Sequence, residues 1–446
     1  MKRRSTAFFM ACLLPVCVWA QEVTTAWSLR QCIDYALEHN LQIKQKQVQQ
    51  EEAGIQVNTA KMSRLPNLNA GVDQNWSFGR SNQTLTGIYE DQQNSSTGVG
   101  LSSAMPVFTG FRISNEIKQK ELNLEAATHS LNKAKEDLSL SVASLYLQVL
   151  FNQELLKVRE DQWNLSLQQV DKTQQLVEAG KVALSQLYDI KAQAAAQESN
   201  KTQAANNLQL SLLDLVQNLE LTSLEGFTIQ EPDTKVWMEN SLGSLLPPDD
   251  IYRNALLFKS DVKEQESLLT GSRYGLKIAK AGYYPTLNLS LRYSNSYFYR
   301  YGEDNKAFSE QIKNNAGQSI GLSLSIPIFN RFQVRNQVRS ARLNILNQEL
   351  SLENTKKGLY KEIQTAYYNA VGAQQKYKSA TQAEEAASQS FQYALDRYES
   401  GKMTVFELNE AQSKHTQSRS EQIQAKYDYL FRCKILDFYN GVEIRL

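Results

Sequence analysis

The chain has 446 residues, of which only 41% are hydrophobic. This length allows two or three ordinary domains, but the composition argues against a large apolar core. Its 48 Lys and Arg residues are balanced by 47 Asp and Glu residues, so the basic excess typical of nucleic-acid binding is absent and nucleic acid is not an expected partner.

Residues 1–20 have a basic start, an apolar centre and a small final residue, Ala20, which predicts a secretory signal peptide. A membrane anchor is the weaker interpretation because the apolar run is too short to span a bilayer. Lipid attachment at Cys17 is also disfavoured, since the bulky Val16 precedes it.

Two cysteines, Cys32 and Cys433, remain in the mature chain after the signal peptide is removed. They lie near its opposite ends, in an exported setting that permits disulfides. A disulfide between them would tie the two ends together, and two independent free thiols are the alternative.

Three phrases occur twice, in the same order: residues 60–69, 100–117 and 178–187 are matched by residues 279–288, 321–338 and 399–408. Self-similarity at so long a period indicates two structurally equivalent halves rather than an array of short units. We assign the first repeat to 21–248 and the second to 249–446.

Each repeat opens with a predicted arm helix and continues into two segments in which apolar and polar residues alternate. The alternation predicts strands at about 66–78, 95–106, 285–298 and 317–327, with Pro66, Pro106, Pro285 and Pro327 at the strand–helix junctions.

The predicted strands have the length of tilted transmembrane strands. Asp73 and Arg292 lie on the polar side of the alternation, as expected where a charge facing lipid would be costly. Gln74 and Asn295 interrupt the apolar side. A soluble sheet with one buried face would show the same alternation and is the alternative.

Long proline-free stretches predict one helical hairpin at about 111–220 and a second at about 330–440. About seventy helical residues make a rod of about 100 Å. Gly180 and Gly401 fall between the two helices of each hairpin, where a left-handed glycine would end the first helix. Residues 221–248 contain three prolines and are expected to form a linker, or belt, between the repeats.

Four strands cannot close a barrel, and an open sheet edge is not stable in lipid. The chain is therefore expected to oligomerise. Eight, twelve or sixteen strands in total are all compatible with the sequence.

The sequence has no phosphate-binding glycine loop, nucleophile elbow or paired-cysteine motif, and its three histidines are far apart. We therefore expect neither an enzyme nor a metal site or other cofactor. Glu407 and Glu410 are three residues apart and share a helix face. Around a symmetric pore they would form a ring that attracts cations, although ordinary solvated glutamates are an equal alternative.

The chain resembles the TolC family of outer-membrane efflux proteins. The resemblance covers almost the whole mature sequence and rests on the start SLRQCIDYALEHN, the exit phrases MPVFTGFR and IPIFNRFQ, and the tip phrases EAGKVALSQL and ESGKMTVFEL. It implies a mixed fold: four strands per copy in a trimeric transmembrane β-barrel embedded in outer-membrane lipid, and a long periplasmic α-helical barrel.

The resemblance also implies that the hairpin tips dock a periplasmic adaptor (membrane fusion) protein and that an inner-membrane pump loads the tunnel. The positions matching the tip motif are Gly180, Lys181, Val182, Gly401, Lys402 and Met403. The family's usual Val-Gly-Leu motif is not present here, since Ala179 and Ser400 precede the glycines. Glu407, Glu410 and Tyr398 match residues of the closed periplasmic entrance.

On this interpretation the chain is a passive duct for small toxic molecules or drugs, and its entrance opens when the second hairpin moves relative to the first. Two alternatives stay open. One is the outer-membrane component of type I protein secretion, and the other is a trimeric scaffold that spans the envelope without conducting.

Overall fold

The computed structural model describes residues 26–82, 87, 89–232 and 245–442. The predicted signal peptide and the middle of the predicted linker lie outside the described residues. None of the described helices is long and apolar enough to cross a membrane.

The elements of the two repeats follow the same order. The first contains α1 (Leu29–His39), α2 (Leu41–Met62), β1 (Asn69–Asn82), β2 (Tyr89–Phe108), α3 (Arg112–Glu178) and α4 (Leu184–Asn218). The second contains α5 (Pro248–Phe258), α6 (Ser260–Ala281), β3 (Thr286–Arg300), α7 (Phe308–Asn314), β4 (Gly317–Ser325), α8 (Gln333–Glu399) and α9 (Val405–Tyr439). Apart from α7, each element of the second repeat has a counterpart in the first, which confirms the two repeated halves.

The long helices form two hairpins, α3 with α4 and α8 with α9. Both α3 and α8 have 67 residues, and at 1.5 Å per residue each is a rod of about 100 Å. Both α4 and α9 have 35 residues. The hairpins are therefore matched in length, as the repeated sequence predicts.

The four strands form one antiparallel sheet in the order β1-β2-β3-β4. The described part of β1 pairs only with β2, and β4 pairs only with β3, so the sheet has two open edges. β1 begins three residues after Pro66, β3 directly follows Pro285, and β4 ends two residues before Pro327.

Pro106 corrects one prediction. It was expected to end the second strand, but β2 runs on to Phe108 and the pairing with β3 shifts register between Pro106 and Phe108. A proline cannot donate to the ladder, and a bulge accommodates it because one residue there is left unpaired. β2 therefore extends past its predicted end, and it also begins earlier than predicted, at Tyr89.

One face of the sheet is apolar and exposed, as the alternation predicts. Its exposed side chains include Val72, Trp76 and Phe78 of β1 and Ile320, Leu322 and Leu324 of β4. The two polar interruptions are hydrogen-bonded. Gln74 bonds the hydroxyls of Ser95 and Thr97 on β2, and Asn295 donates to the carbonyl oxygen of Ile312 at 2.7 Å.

The main apolar core lies where α1 and the described start of the linker meet α3, α4 and α9. Tyr146 is buried there and donates its hydroxyl to the carbonyl oxygen of Gln230 at 2.6 Å. Ile229 forms a parallel bridge with Trp27. The described part of the predicted linker therefore packs onto the helices as one layer of this core.

Cys32 and Cys433 both belong to this core, as free thiols rather than as a disulfide. Cys32 lies on α1, which packs on α3, whereas Cys433 hydrogen-bonds Tyr429 one turn earlier on its own helix. Burial raises the pKa of Cys32 to about 12 and that of Cys433 to about 11. The structure therefore contains the two free thiols, which the sequence analysis left open as the alternative to a disulfide.

The arm helices of the two repeats have different surroundings. α6 packs against both α3 and α8. Its counterpart α2 packs against α3, and in the described ranges it has no comparable contact with α8. One side of α2 is therefore left open.

Candidate functional site at the helical tips

The two hairpin tips have the same backbone geometry. Gly180 and Gly401 both have φ of 69°, and the amide after each bonds a carbonyl five residues back, Lys181 to Leu176 and Lys402 to Arg397, each at 2.9 Å. This is the arrangement in which a left-handed glycine ends a helix. The predicted glycine caps are confirmed. The positive φ is the reason for glycine at both tips, since a Cβ at either position would meet nothing within 4 Å.

The helices that leave the tips begin differently. α9 starts with a capping box in which the Thr404 amide and hydroxyl donate to Glu407 Oε2 at 2.9 and 2.8 Å. Its counterpart α4 starts at Ala183 without a side-chain cap. Hydrogen bonds from the backbone and side chain of Thr404 lower the pKa of Glu407. Glu407 is therefore an ionised helix cap as well as a gate candidate.

The three predicted gate residues do not converge on one point. Glu407 and Glu410 are exposed on one face of α9. Tyr398 is half-buried against the first hairpin, with its hydroxyl 3.5 Å from Thr173 Oγ1. The structure thus separates a pair of exposed carboxylates from an aromatic contact between the hairpins.

The predicted docking residues surround the turns. Lys181 and Lys402 are exposed, and Val182 and Met403 are half-buried. Met403 packs against a small apolar cluster around Phe391, Ala394 and Leu408. The lysines are thus presented outwards at the end of each rod, and Met403 anchors the second turn.

Towards the tips, the contact between α3 and α9 becomes polar. After Val158, every buried residue of α3 is polar, in the 4-3-4 spacing of one helix face. We call this contact the polar seam; it comprises Gln162, Ser166, Gln169 and Thr173 of α3 with Gln412 and Thr416 of α9.

Gln412 is the centre of the polar seam. Its side chain is 1% exposed. Its amide nitrogen donates to Gln162 Oε1 at 2.9 Å, and its amide oxygen accepts from Gln169 Nε2 at 3.3 Å. At the rim of the seam, Lys172 pairs with Glu399 at 2.9 Å. The two hairpins are therefore joined near their tips by side-chain hydrogen bonds.

A half-buried histidine lies beside the polar seam, between α8 and α9. His415 stacks on Phe391, with ring centroids 5.3 Å apart, and its Nε2 is 3.8 Å from Glu384 Oε1, which also accepts from Arg419. His415 Nδ1 is buried without a hydrogen-bond partner. Burial lowers the pKa of His415, opposed by the Glu384 carboxylate.

The polar seam costs less free energy to open than an apolar seam would. A neutral hydrogen bond contributes about 0.5–1.5 kcal/mol net, because water replaces it when the contact opens. Exposing one large apolar side chain costs about 1.5–3 kcal/mol. A seam of amides and hydroxyls therefore holds the hairpins in register at a lower opening cost than a seam of leucines.

In the ranges that the structure describes, no group of three or more His, Cys, Asp or Glu side chains is arranged to hold a metal ion. An open groove of about 620 Å³ lies over α9 and is lined by Phe151, Arg159 and Lys376 among others. Neither feature supplies a catalytic constellation.

Sequence reasoning missed the polar seam and the dual role of Glu407. The second was readable, because Thr404 followed by Glu407 is the usual capping-box spacing. The seam joins residues about 250 positions apart, such as Gln162 and Gln412, and a single helix face of small and amide residues gives no sign of its partner.

The outer membrane efflux protein family matches this chain over residues 32–219 and 251–437. Among curated relatives, Outer membrane protein TolC of Escherichia coli (strain K12) is 22% identical over 422 residues, covering 92% of this chain and 81% of the relative. Cation efflux system protein CusC of Escherichia coli O157:H7 is 22% identical over 421 residues, covering 89% and 82%.

Solved structures agree in fold. CusC superposes with a TM-score of 0.78 at 17% identity, covering 93% of this chain and 92% of that one. VceC of Vibrio cholerae gives 0.75 at 16% identity, covering 93% and 96%. The matched segments fall one in each repeat, and the resemblance to TolC is confirmed. The chain therefore belongs to the outer membrane efflux protein family, a family of efflux channels rather than enzymes, and is an outer-membrane protein with a large periplasmic helical part.

Proposed function

We propose that three copies of this chain form a passive exit duct that carries small toxic molecules or drugs across the periplasm and the outer membrane. In this proposal an inner-membrane pump supplies the energy and a periplasmic adaptor joins the pump to the helical tips. The chain itself supplies a closed aqueous path.

The observation that carries the proposal is the open side of α2. Leu41, Val48, Ile55 and Met62 follow one another at seven-residue intervals and are 50–67% exposed. Their counterparts on α6, Ser260, Ser267, Tyr274 and Ala281, are buried or half-buried. A seven-residue apolar stripe is typical of a helix seam, so α2 has room for a partner helix on the side where α6 packs against α3.

α8 offers the complementary surface. Leu343 is 67% exposed, whereas its counterpart in the first repeat, Leu122, is half-buried and lies beside α6. Leu346 and Leu350 extend the exposed stripe by one and two turns. The α8 of one copy therefore fits the open side of α2 in the next copy, repeating the contact between α3 and α6.

The strand–helix junctions support the same arrangement. A Cβ at Gly110 would lie 2.7 Å from Tyr284 Cβ and 2.8 Å from the Ala281 carbonyl oxygen, so the first junction admits only glycine. Its counterpart Arg331 has a similar left-handed φ of 52° but is exposed. The second junction thus lacks its neighbour within the chain, and the end of a second copy's α2 is the equivalent element.

The open sheet completes the argument for closure. Unpaired edges are not stable in lipid, and three sheets joined edge to edge would make a barrel of twelve strands. Each copy has one edge of each kind, β1 and β4, so the same head-to-tail contact can close both the barrel and the helical tube.

At the periplasmic end we propose that Glu407 and Glu410 form the charged ring of the entrance and that the polar seam holds it shut. The exposed lysines of the tips, Lys181 and Lys402, would be the first charges an adaptor meets. Opening moves the second hairpin away from the first by exchanging the hydrogen bonds of the seam for water.

Recordings of single channels in planar bilayers test the duct. We expect the wild type to conduct and to prefer cations, and the double variant Glu407→Ala, Glu410→Ala to lose most of that preference. The control Glu160→Ala, Glu198→Ala removes the same charge from exposed positions of the first hairpin and should conduct like the wild type. A purified trimer that never conducts would favour the scaffold alternative.

The cargo is tested separately, because the pump selects it. A deletion strain should become sensitive to dyes, detergents or antibiotics. The same strain with normal sensitivity but missing secreted proteins would favour type I secretion.

A further inference from the structure

The upper end of β3 has no strand on its outer side. β4 pairs with β3 only from Thr286, opposite Ser325, to Ser294, opposite Gly317. Residues 295–300 continue β3 beyond this point. An unpaired stretch of strand edge is a site at which another strand can add.

Side-chain amides occupy this edge instead of a strand. They come from the segment 301–316, which contains α7 and which we call the rim segment. Asn315 donates to Ser296 O at 2.6 Å, Gln311 bonds the N and O of Phe298 at 2.9 Å each, and Asn305 bonds the N and O of Arg300 at 2.8 and 2.7 Å. The rim segment therefore stands where β4 would continue.

The rim segment also covers the apolar face of β3 at this height. Tyr297 lies edge-on to Phe308 of α7, with ring centroids 5.3 Å apart. Asn295 on the same face is buried and bonded to Ile312. Phe308 itself remains 62% exposed, so its own sheet leaves most of the ring uncovered.

At the opposite edge of the sheet, β1 is longer than β4, the strand it would pair with in a second copy. β1 has 14 residues and β4 has nine. Both leave the sheet beside a junction proline, and aligning these lower ends places Ser325 opposite Asn69 of a second copy and Gly317 opposite Ser77. Residues 78–82 of β1, about 17 Å at 3.4 Å per residue, then rise above β4.

We propose that the rim segment closes the top of the interface between copies, packing Phe308 against Phe78 of a second copy. This rests on the closed trimer proposed above. Phe78 is 72% exposed and lies on the same apolar face as Tyr297. The height fits as well, because Phe78 is the first residue of β1 beyond the reach of β4.

Cysteine cross-linking tests the contact. The double variant Phe78→Cys, Phe308→Cys, treated with a short bis-maleimide in outer membranes, should run as covalent dimers and trimers on a denaturing gel. Each single variant should run as a monomer, because it lacks one of the two cysteines that would be joined across the interface. The single variants also report any background cross-linking from the buried Cys32 and Cys433.

A second pair separates this proposal from the trimer itself. Val72 and Leu322 share the apolar face and each lies three residues inside the lower end of its strand, so Val72→Cys, Leu322→Cys should cross-link in any trimer closed by β1 and β4. Cross-linking of this pair without the Phe78–Phe308 product would overturn the role of the rim segment. Failure of both pairs would contradict the closed trimer.

Discussion

The contact between α3 and α9 changes character along its length. In the upper part, Tyr146 and Leu150 of α3 and Leu430 of α9 belong to one apolar core and are almost fully buried. In the lower part, the same two helices meet through the amides of the polar seam. Separating α3 from α9 therefore costs much free energy in the upper part of the contact and less in the lower part.

The largest effect is expected in the upper part. Tyr146→Ala removes a ring that is 1% exposed together with its bond to Gln230, and should destabilise the protein by about 3–5 kcal/mol. Thermal unfolding followed by helical circular dichroism measures this. Tyr188→Ala on the exposed surface of α4 is the control and should change little. Equal losses of stability in the two variants would contradict the view that the upper part of the contact between α3 and α9 is the part that is expensive to open.

The second prediction concerns a variant in which the polar seam becomes apolar, like the upper part of the contact between α3 and α9. In the triple variant Gln162→Leu, Gln169→Leu, Gln412→Leu, all three partners become apolar together, so no amide is left unsatisfied. The closed state should gain on the order of a few kcal/mol. We expect export to fail and channel conductance to stay at its closed level.

The matched control for that variant is Gln203→Leu, Gln209→Leu, Gln392→Leu, which makes the same changes at exposed positions and should export normally. Gln412→Ala tests the opposite direction. It removes two hydrogen bonds of the seam and should raise the fraction of time the channel is open. Normal export by the triple leucine variant would argue that the hairpins do not separate here.

A third, smaller effect concerns pH. Because burial where α8 packs on α9 lowers the pKa of His415 below 6.5, protons bind more readily once that packing is lost. The folded second hairpin is therefore fully stable above about pH 6.5 and loses stability as the pH falls through the lower folded value. Melting curves at pH 7.5 and 5.5 should differ less for His415→Gln than for the wild type. Identical pH dependence in the two proteins would exclude this contribution.

The smallest effect is expected for Lys172 and Glu399. Their ion pair spans the two hairpins, but the side chains are 47% and 52% exposed, and exposed pairs contribute about 0–1 kcal/mol. Lys172→Ala should raise conductance slightly at low salt and not at high salt. An effect as large as that of Gln412→Ala would mean that the ion pair at the rim of the polar seam, rather than Gln412 at its centre, holds the hairpins together.

The sequence alone was sufficient for features that depend on local rules. The repeated phrases predicted the matched hairpins, and Gly180 and Gly401 predicted the left-handed caps. The alternation of apolar and polar residues predicted the apolar face of the sheet. Pro106 was misjudged because the bulge that accommodates it depends on the register with β3. α7 was not predicted, since a helix of seven residues leaves almost no periodic signal.

The functional surfaces were harder to predict because each depends on residues far apart in the chain. The polar seam requires knowing that α3 faces α9. Likewise, the open side of α2 becomes informative only when its stripe is compared with the buried counterparts on α6. A single sequence contains both halves of each comparison but not the contacts that relate them.

The unequal surroundings of α2 and α6 have a consequence for how the protein is made. α6 finds both of its neighbours within one chain, so its packing does not require a second copy. On the proposed trimer, α2 and the edge of β1 wait for another copy. In this proposal the packing of α2 and the pairing of β1 depend on protein concentration, and the monomer is an assembly intermediate.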